Sequence, residues 1–165
     1  MSAAAKRARE VSMRFSFEFS SPLRADPESV WAHARTISGV NAELWPLCRM
    51  TFPPAYASRT LEDAPIGQRA FRSWILLFGV VPIDYDDLKL LRVEAPRGFV
   101  EESTMLTQRI WRHERTIERT ERGCCIRDSV AFEPRVPLLG PLFLPMFKLA
   151  FWNRHRRLRA RFGSA

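Results

Sequence analysis

This sequence predicts an α+β fold: an antiparallel sheet of about seven strands curved around one long C-terminal helix, with two short helices after the first strand. Three observations predict it. Short alternating or apolar-rich stretches, separated by glycine and proline turns, occupy much of residues 15–134. A helix-start signal, Asp26-Pro27-Glu28, interrupts them early. One long amphipathic stretch closes the chain, from about Leu139 to Arg161. A sheet with one apolar face must be covered, and that last stretch is the available cover.

The elements follow in order. Phe15, Phe17 and Phe19 alternate with Ser16, Glu18 and Ser20, a half-buried strand over Arg14 to Ser21 that turns at Ser21-Pro22-Leu23. Asp26 suits an N-cap, Pro27 the first helical position and Glu28 the positive end of the helix dipole. Gly39 is expected to break this helix, and a second short one runs from Val40 to Leu44 before Pro46. Leu47 to Phe52 reads as a short strand and Ala55 to Gly67 as a loop. Gln68 to Phe78 and Ile83 to Glu94 are strands joined by a turn from Gly79 to Pro82. Pro96-Arg97-Gly98 turns the chain into the strand Phe99 to Leu106. Trp111 to Arg135 is a hairpin that turns at Glu121-Arg122-Gly123. In the final helix, Phe143, Phe147, Phe151, Leu158 and Phe162 recur at three or four residues and form the apolar stripe.

With 165 residues the chain suits one domain, expected over residues 14–162 after a disordered basic segment at 1–13. The net charge of +8 sits at the ends: residues 1–14 carry +3 and residues 148–161 carry +6, leaving −1 for the body. A solvated helix face and a loose tail account for this, and contact with an anionic lipid surface is the sharper alternative. Cys48, Cys124 and Cys125 form no disulfide framework, so reduced thiols and a cytoplasmic location are expected. No zinc spacing, GxSxG, glycine-rich phosphate loop or HExxH occurs, and neither metal nor cofactor is predicted. Exposed arginines do not interleave with aromatics in a recognised motif, so no specific nucleic acid is predicted.

The Trp111 hairpin carries the main polar candidates. Trp111, His113, Arg115 and Ile117 share one strand face, and Asp128 shares a face with Ile126, Val130 and Phe132. A histidine and an arginine turned toward an apolar interior each need a partner. His113, Arg115 and Asp128 therefore read either as a polar anchor or acid/base set inside a cavity, or as a satisfied ion pair that fixes register. Glu101 is expected to join them. Trp74, Phe99, Glu101, Trp111 and Phe132 on the sheet, with Phe147, Phe151 and Arg154 on the long helix, are the candidate ligand-binding residues. Asp84, Asp86 and Asp87 read as a solvated strand edge.

Four segments together resemble the START-like superfamily, also called SRPBCC, over residues 14–162. They are Asp26-Pro27-Glu28-Ser29-Val30-Trp31; Phe99-x-Glu101 before Trp111-x-His113; Asp128-x-Val130-x-Phe132-x-Pro134; and Phe151-x-x-Arg154-His155-x-x-Leu158-x-x-x-Phe162. The resemblance is to the bacterial cyclase/dehydrase-like branch, in which many members have no assigned function. It implies the helix-grip fold of birch-pollen allergen, polyketide cyclases and lipid-transfer START domains. It also implies a small hydrophobic ligand of lipid, isoprenoid or aromatic polyketide type in a cavity between sheet and helix. Members often carry a second histidine two residues after the first; here that place is Arg115. The alternatives are a cyclase, aromatase or dehydratase using His113 with Arg115 or Asp128, and docking or lipid transfer at an anionic membrane surface through the basic C-terminal helix.

Overall fold

The computed structural model describes residues 14–165, so the segment 1–13 expected to be disordered lies outside the described residues. The elements are β1 (Phe15–Leu23), α1 (Pro27–Ala34), α2 (Ile37–Leu44), β2 (Cys48–Met50), β3 (Arg69–Leu77), β4 (Val81–Glu94), β5 (Gly98–Met105), β6 (Gln108–Thr120), β7 (Gly123–Pro134) and α3 (Gly140–Phe162). The seven strands form one sheet in the order β1-β7-β6-β5-β4-β3-β2, and every neighbouring pair is antiparallel. Register shifts at Ile75/Leu76, Leu90/Arg92 and Gln108/Ile110 mark bulges, which bend and twist a sheet toward closure around its helix.

The local chemistry explains most boundaries. Asp26 caps α1 by accepting from the Ser29 amide at 2.7 Å, with Pro27 as the first helical residue. The break between α1 and α2 falls at Arg35-Thr36 and not at Gly39. Thr36 caps α2 by accepting from the Gly39 amide at 3.0 Å. Gly39 is inside α2 because a Cβ there would lie 1.8 Å from the His33 carbonyl oxygen. β1 also runs past the expected turn, with Pro22 opposite Cys125. Proline is tolerated because β1 is an edge strand and needs no donor on its outer side.

Two buried clusters sit between sheet and helices. One gathers Leu23, Val30, Trp31, Leu90, Ile117 and Leu158 under α1 and the end of α3. The other gathers Met105, Trp111, Val130, Phe132 and Phe151, with Phe143, Phe147 and Ile75 packed against it. Cys48, Cys124 and Cys125 are free thiols, and burial pushes the Cys124 thiol up to about 11, where it is unreactive at neutral pH.

Gly98 opens β5 at φ +139°, and a Cβ there would meet the Arg115 carbonyl oxygen at 1.8 Å. Gly67 also has positive φ, +78°, but has open space around it. Gly98→Ala is therefore expected to cost more than about 2 kcal/mol and Gly67→Ala only about 1 kcal/mol. Equilibrium urea denaturation of the two variants checks the order.

Candidate functional site: a buried ion network beside an aromatic cluster

The register of β6 and β7 sets Arg115 opposite Asp128, as a hairpin turning at Gly123 requires. Arg115 donates to both Asp128 oxygens, Nε to Oδ1 and Nη2 to Oδ2, each at 2.7 Å. Its other nitrogen edge grips Glu43 of α2, at 3.0 Å to Oε1 and 2.9 Å to Oε2. The guanidinium is thus held by two carboxylates and has 1% of its surface exposed. His113 Nε2 lies 2.8 Å from Asp128 Oδ1, and His155 of α3 reaches Asp128 Oδ2 at 3.0 Å. His155 Nδ1 meets Ser21 of β1 at 2.8 Å. Arg154 donates to Glu43 at 3.0 Å, so the same carboxylate ties α2 to both the sheet and α3.

The predicted trio of His113, Arg115 and Asp128 is brought together, and Arg154 joins it through Glu43. Glu101 joins through His113 Nδ1, 3.8 Å away, and accepts from Ser103 at 2.8 Å. Burial opposes ionisation of Asp128 and Glu43, but their contacts with Arg115 outweigh it and hold both carboxyls well below the ordinary range. Burial likewise opposes the charge on Arg115, and Asp128 and Glu43 overcome it and raise the guanidinium. Arg115 and Asp128 are thus bound on every side by other members of the network.

Asp84 and Asp86 are not a solvated edge. Both are buried on the inner face of β4, while Asp87, on the outer face, binds Arg72 at 2.8 and 2.9 Å. Alternation along the strand explains the split. Asp84 accepts from the Thr107 hydroxyl. Asp86 is opposite Ser73 on β3 and Met105 on β5. Burial first, and the nearby Glu101 charge second, push its carboxyl well above the ordinary range. Burial also opposes the charge on Glu101, but hydrogen bonding to His113 overcomes it and lowers that carboxyl. Asp86 Oδ1 is buried without a hydrogen-bond partner.

The aromatic candidates divide. Trp111 lies 4.9 Å from Phe147, Phe132 lies 4.9 Å from Phe147, and Phe151 packs edge-on to His113 at 5.1 Å between ring centroids. Phe99 belongs to the other core cluster and touches the site only through His113, at 5.1 Å. Trp74 is a correction: strand alternation places it on the outer face, 43% exposed and edge-on to Tyr85. Two surface clefts, of about 660 and 380 Å³, have no α3 residue in their lining. Among the described residues no cluster of histidine, cysteine and carboxylate side chains is fit to hold a metal.

Sequence reasoning missed Glu43 as the second partner of Arg115, and missed Ser21, Ser103 and the pairing of Asp86 with Glu101. The signal for Glu43 was an acid adjacent to Leu44 in a short apolar helix. Arg115→Met, which strands both Glu43 and Asp128, is expected to cost about 3–5 kcal/mol in urea denaturation. Asp86 holds its proton more tightly folded than unfolded. Its contribution is complete below about pH 4, the unfolded value, and is lost as pH rises through the raised folded value. Asp86→Asn should therefore melt higher than the parent at pH 7, with the gap closing toward about pH 4. Parallel melting-point profiles would contradict this.

The architecture is the helix-grip fold. A protein of Chromobacterium violaceum, CV1439, superposes with a TM-score of 0.67 at 14% identity, covering 91% of this chain and 99% of that chain. Ara h 8.0201 superposes at 0.61 with 11% identity over 90% and 97%. DynU16, a protein in the dynemicin biosynthetic locus, superposes at 0.55 with 12% identity over 91% of this chain and 48% of that chain. No curated protein matches the chain in sequence. Among the described residues, no helix is long and apolar enough to cross a membrane. The family model described as a domain of unknown function, DUF8410, matches residues 21–162, and the chain belongs to that family.

Proposed function

We propose that this protein binds a small apolar ligand between the sheet and α3, as a START-like protein of the cyclase/dehydrase-like branch. The ligand class is a lipid, an isoprenoid or an aromatic polyketide that carries a hydroxyl or carbonyl group. The observation that carries the reading is the Asp86 carboxyl, buried beside the aromatic cluster. It lies across from Met105, which packs with Trp111, Phe132 and Phe151, and it keeps one buried oxygen without a partner. A buried carboxyl oxygen without a partner offers a ligand one directional hydrogen bond. Phe143 and Phe147 on α3 are only half-buried, and their movement would admit the ligand. Saturation of Arg115 by Asp128 and Glu43 disfavours an anionic ligand at that arginine. The cyclase or dehydratase alternative receives no free group from His113, Arg115 or Asp128, since each is held by the others.

The test is a thermal-shift screen of fatty acids, isoprenoid alcohols and aromatic polyketides, with native mass spectrometry of the gently purified protein. A binding ligand at high excess should raise the melting point by at least about 5 °C. Asp86→Ala should weaken that ligand about ten-fold. No shift from any of the three classes would overturn the reading.

A further inference from the structure

A second surface of this chain has no role in the site above. The outer side of α3 exposes Leu142, Met146, Leu149 and Trp152, spaced by four, three and three residues along one stripe. At the end of the molecule where α3 begins, the β3–β4 hairpin tip exposes Phe78 and Val80, the latter by 74%, and the β7–α3 connection exposes Leu138 by 87%. Trp45 bridges the tip and the helix. Its ring lies 3.3 Å from the position a Cβ would take on Gly79, and its carbonyl accepts from Asn153 of α3 at 3.1 Å. The surface is therefore continuous, and its extent exceeds the scattered apolar residues normal on a monomer.

Charge decides what covers it. The segments that build this end, residues 45–53, 74–84, 104–111 and 133–157, contain two acids, Asp84 and Glu133, and both are buried. Arg49, Arg135, Lys148 and Arg156 are exposed there. Arg156 stacks on Trp152 with its charge 5.5 Å from the ring centre. Apolar side chains ringed by cations alone match the boundary between lipid headgroups and acyl chains, with phosphates over the cations. A second copy of the chain would bring the same cations face to face across a two-fold axis.

We propose that this end of the molecule docks on anionic phospholipid bilayers, with the β3–β4 tip and the first turns of α3 entering the headgroup layer. Three arginines farther along α3 are held within the protein. Arg154 is bound to Glu43, Arg157 to the Ala42 carbonyl and Arg159 to Ser21. Docking is thus expected through the outer stripe of the helix from Leu142 to Arg156 and not its last turn. The proposal does not depend on a ligand under α3.

The experiment is co-sedimentation of the full chain with phosphatidylcholine vesicles, with and without phosphatidylserine, at low and high salt. Binding should be at least about ten-fold stronger with phosphatidylserine and weaken with salt. Two exposed double variants, Phe78→Ser with Val80→Ser and Lys148→Glu with Arg156→Glu, should each lose at least about ten-fold in affinity with unchanged circular dichroism. Arg159→Glu should leave vesicle binding within about two-fold of the parent. Three results would overturn the proposal. One is no binding to phosphatidylserine vesicles, and another is equal binding by the tip variant. The third is a parent chain that sediments as a dimer that the tip variant abolishes, with vesicles unbound.

Discussion

Arg115 is the constraint on which the rest depends. A buried guanidinium must find acceptors for a planar fork of donors or it is not tolerated. Asp128 supplies one edge from the neighbouring strand, but it cannot reach the other. Glu43 supplies that edge, which fixes α2 over the sheet at the height of β6. Glu43 also binds Arg154, and Asp128 also binds His155; both come from α3. The position of the long helix thus follows from groups that had to be neutralised. Such networks add little net stability over an apolar core of the same shape, and their use is to forbid other arrangements. A helix sliding one turn along this sheet would strip Arg154 from Glu43 and His155 from Asp128.

The sheet, the two short helices and the long helix were legible because periodicity and turn residues report backbone geometry directly. Phe15, Phe17 and Phe19 show a strand as plainly as Pro96-Arg97-Gly98 shows a turn. The polar trio was legible for the same reason: His113, Arg115 and Asp128 share the faces of apolar residues. What could not be read was distance. Glu43 is 72 residues from Arg115, and no local pattern records that they meet. Trp74 was misplaced because a bulge at Ile75/Leu76 blurs inner and outer parity just beside it. Asp84 and Asp86 were misread because acids on a strand are usually wet, and only the neighbouring strands show that here they are not.

The interior has two characters. Under α2 it is ionic; toward the β3–β4 tip it is aromatic, with the buried carboxyls of Asp84 and Asp86. A ligand would meet the second character first. It would be stopped by the first, because passing Asp128 and Arg115 means breaking charged hydrogen bonds that nothing apolar can replace. The network would then set the depth of any site by refusing to open.

The same network bears on how the chain reaches this structure. Its members lie on β1, α2, β5, β6, β7 and α3, so contacts such as Arg154 with Glu43, separated by 111 residues, close very long loops. Contacts of that kind form slowly and late. Until α3 docks, the concave face of the sheet carries Arg115, Asp128 and His113 in water, a hydrated seam across an otherwise greasy surface. A half-made chain with such a seam is less inclined to bury that surface against a neighbour. The charges that fix the finished structure therefore also protect the unfinished one from premature association.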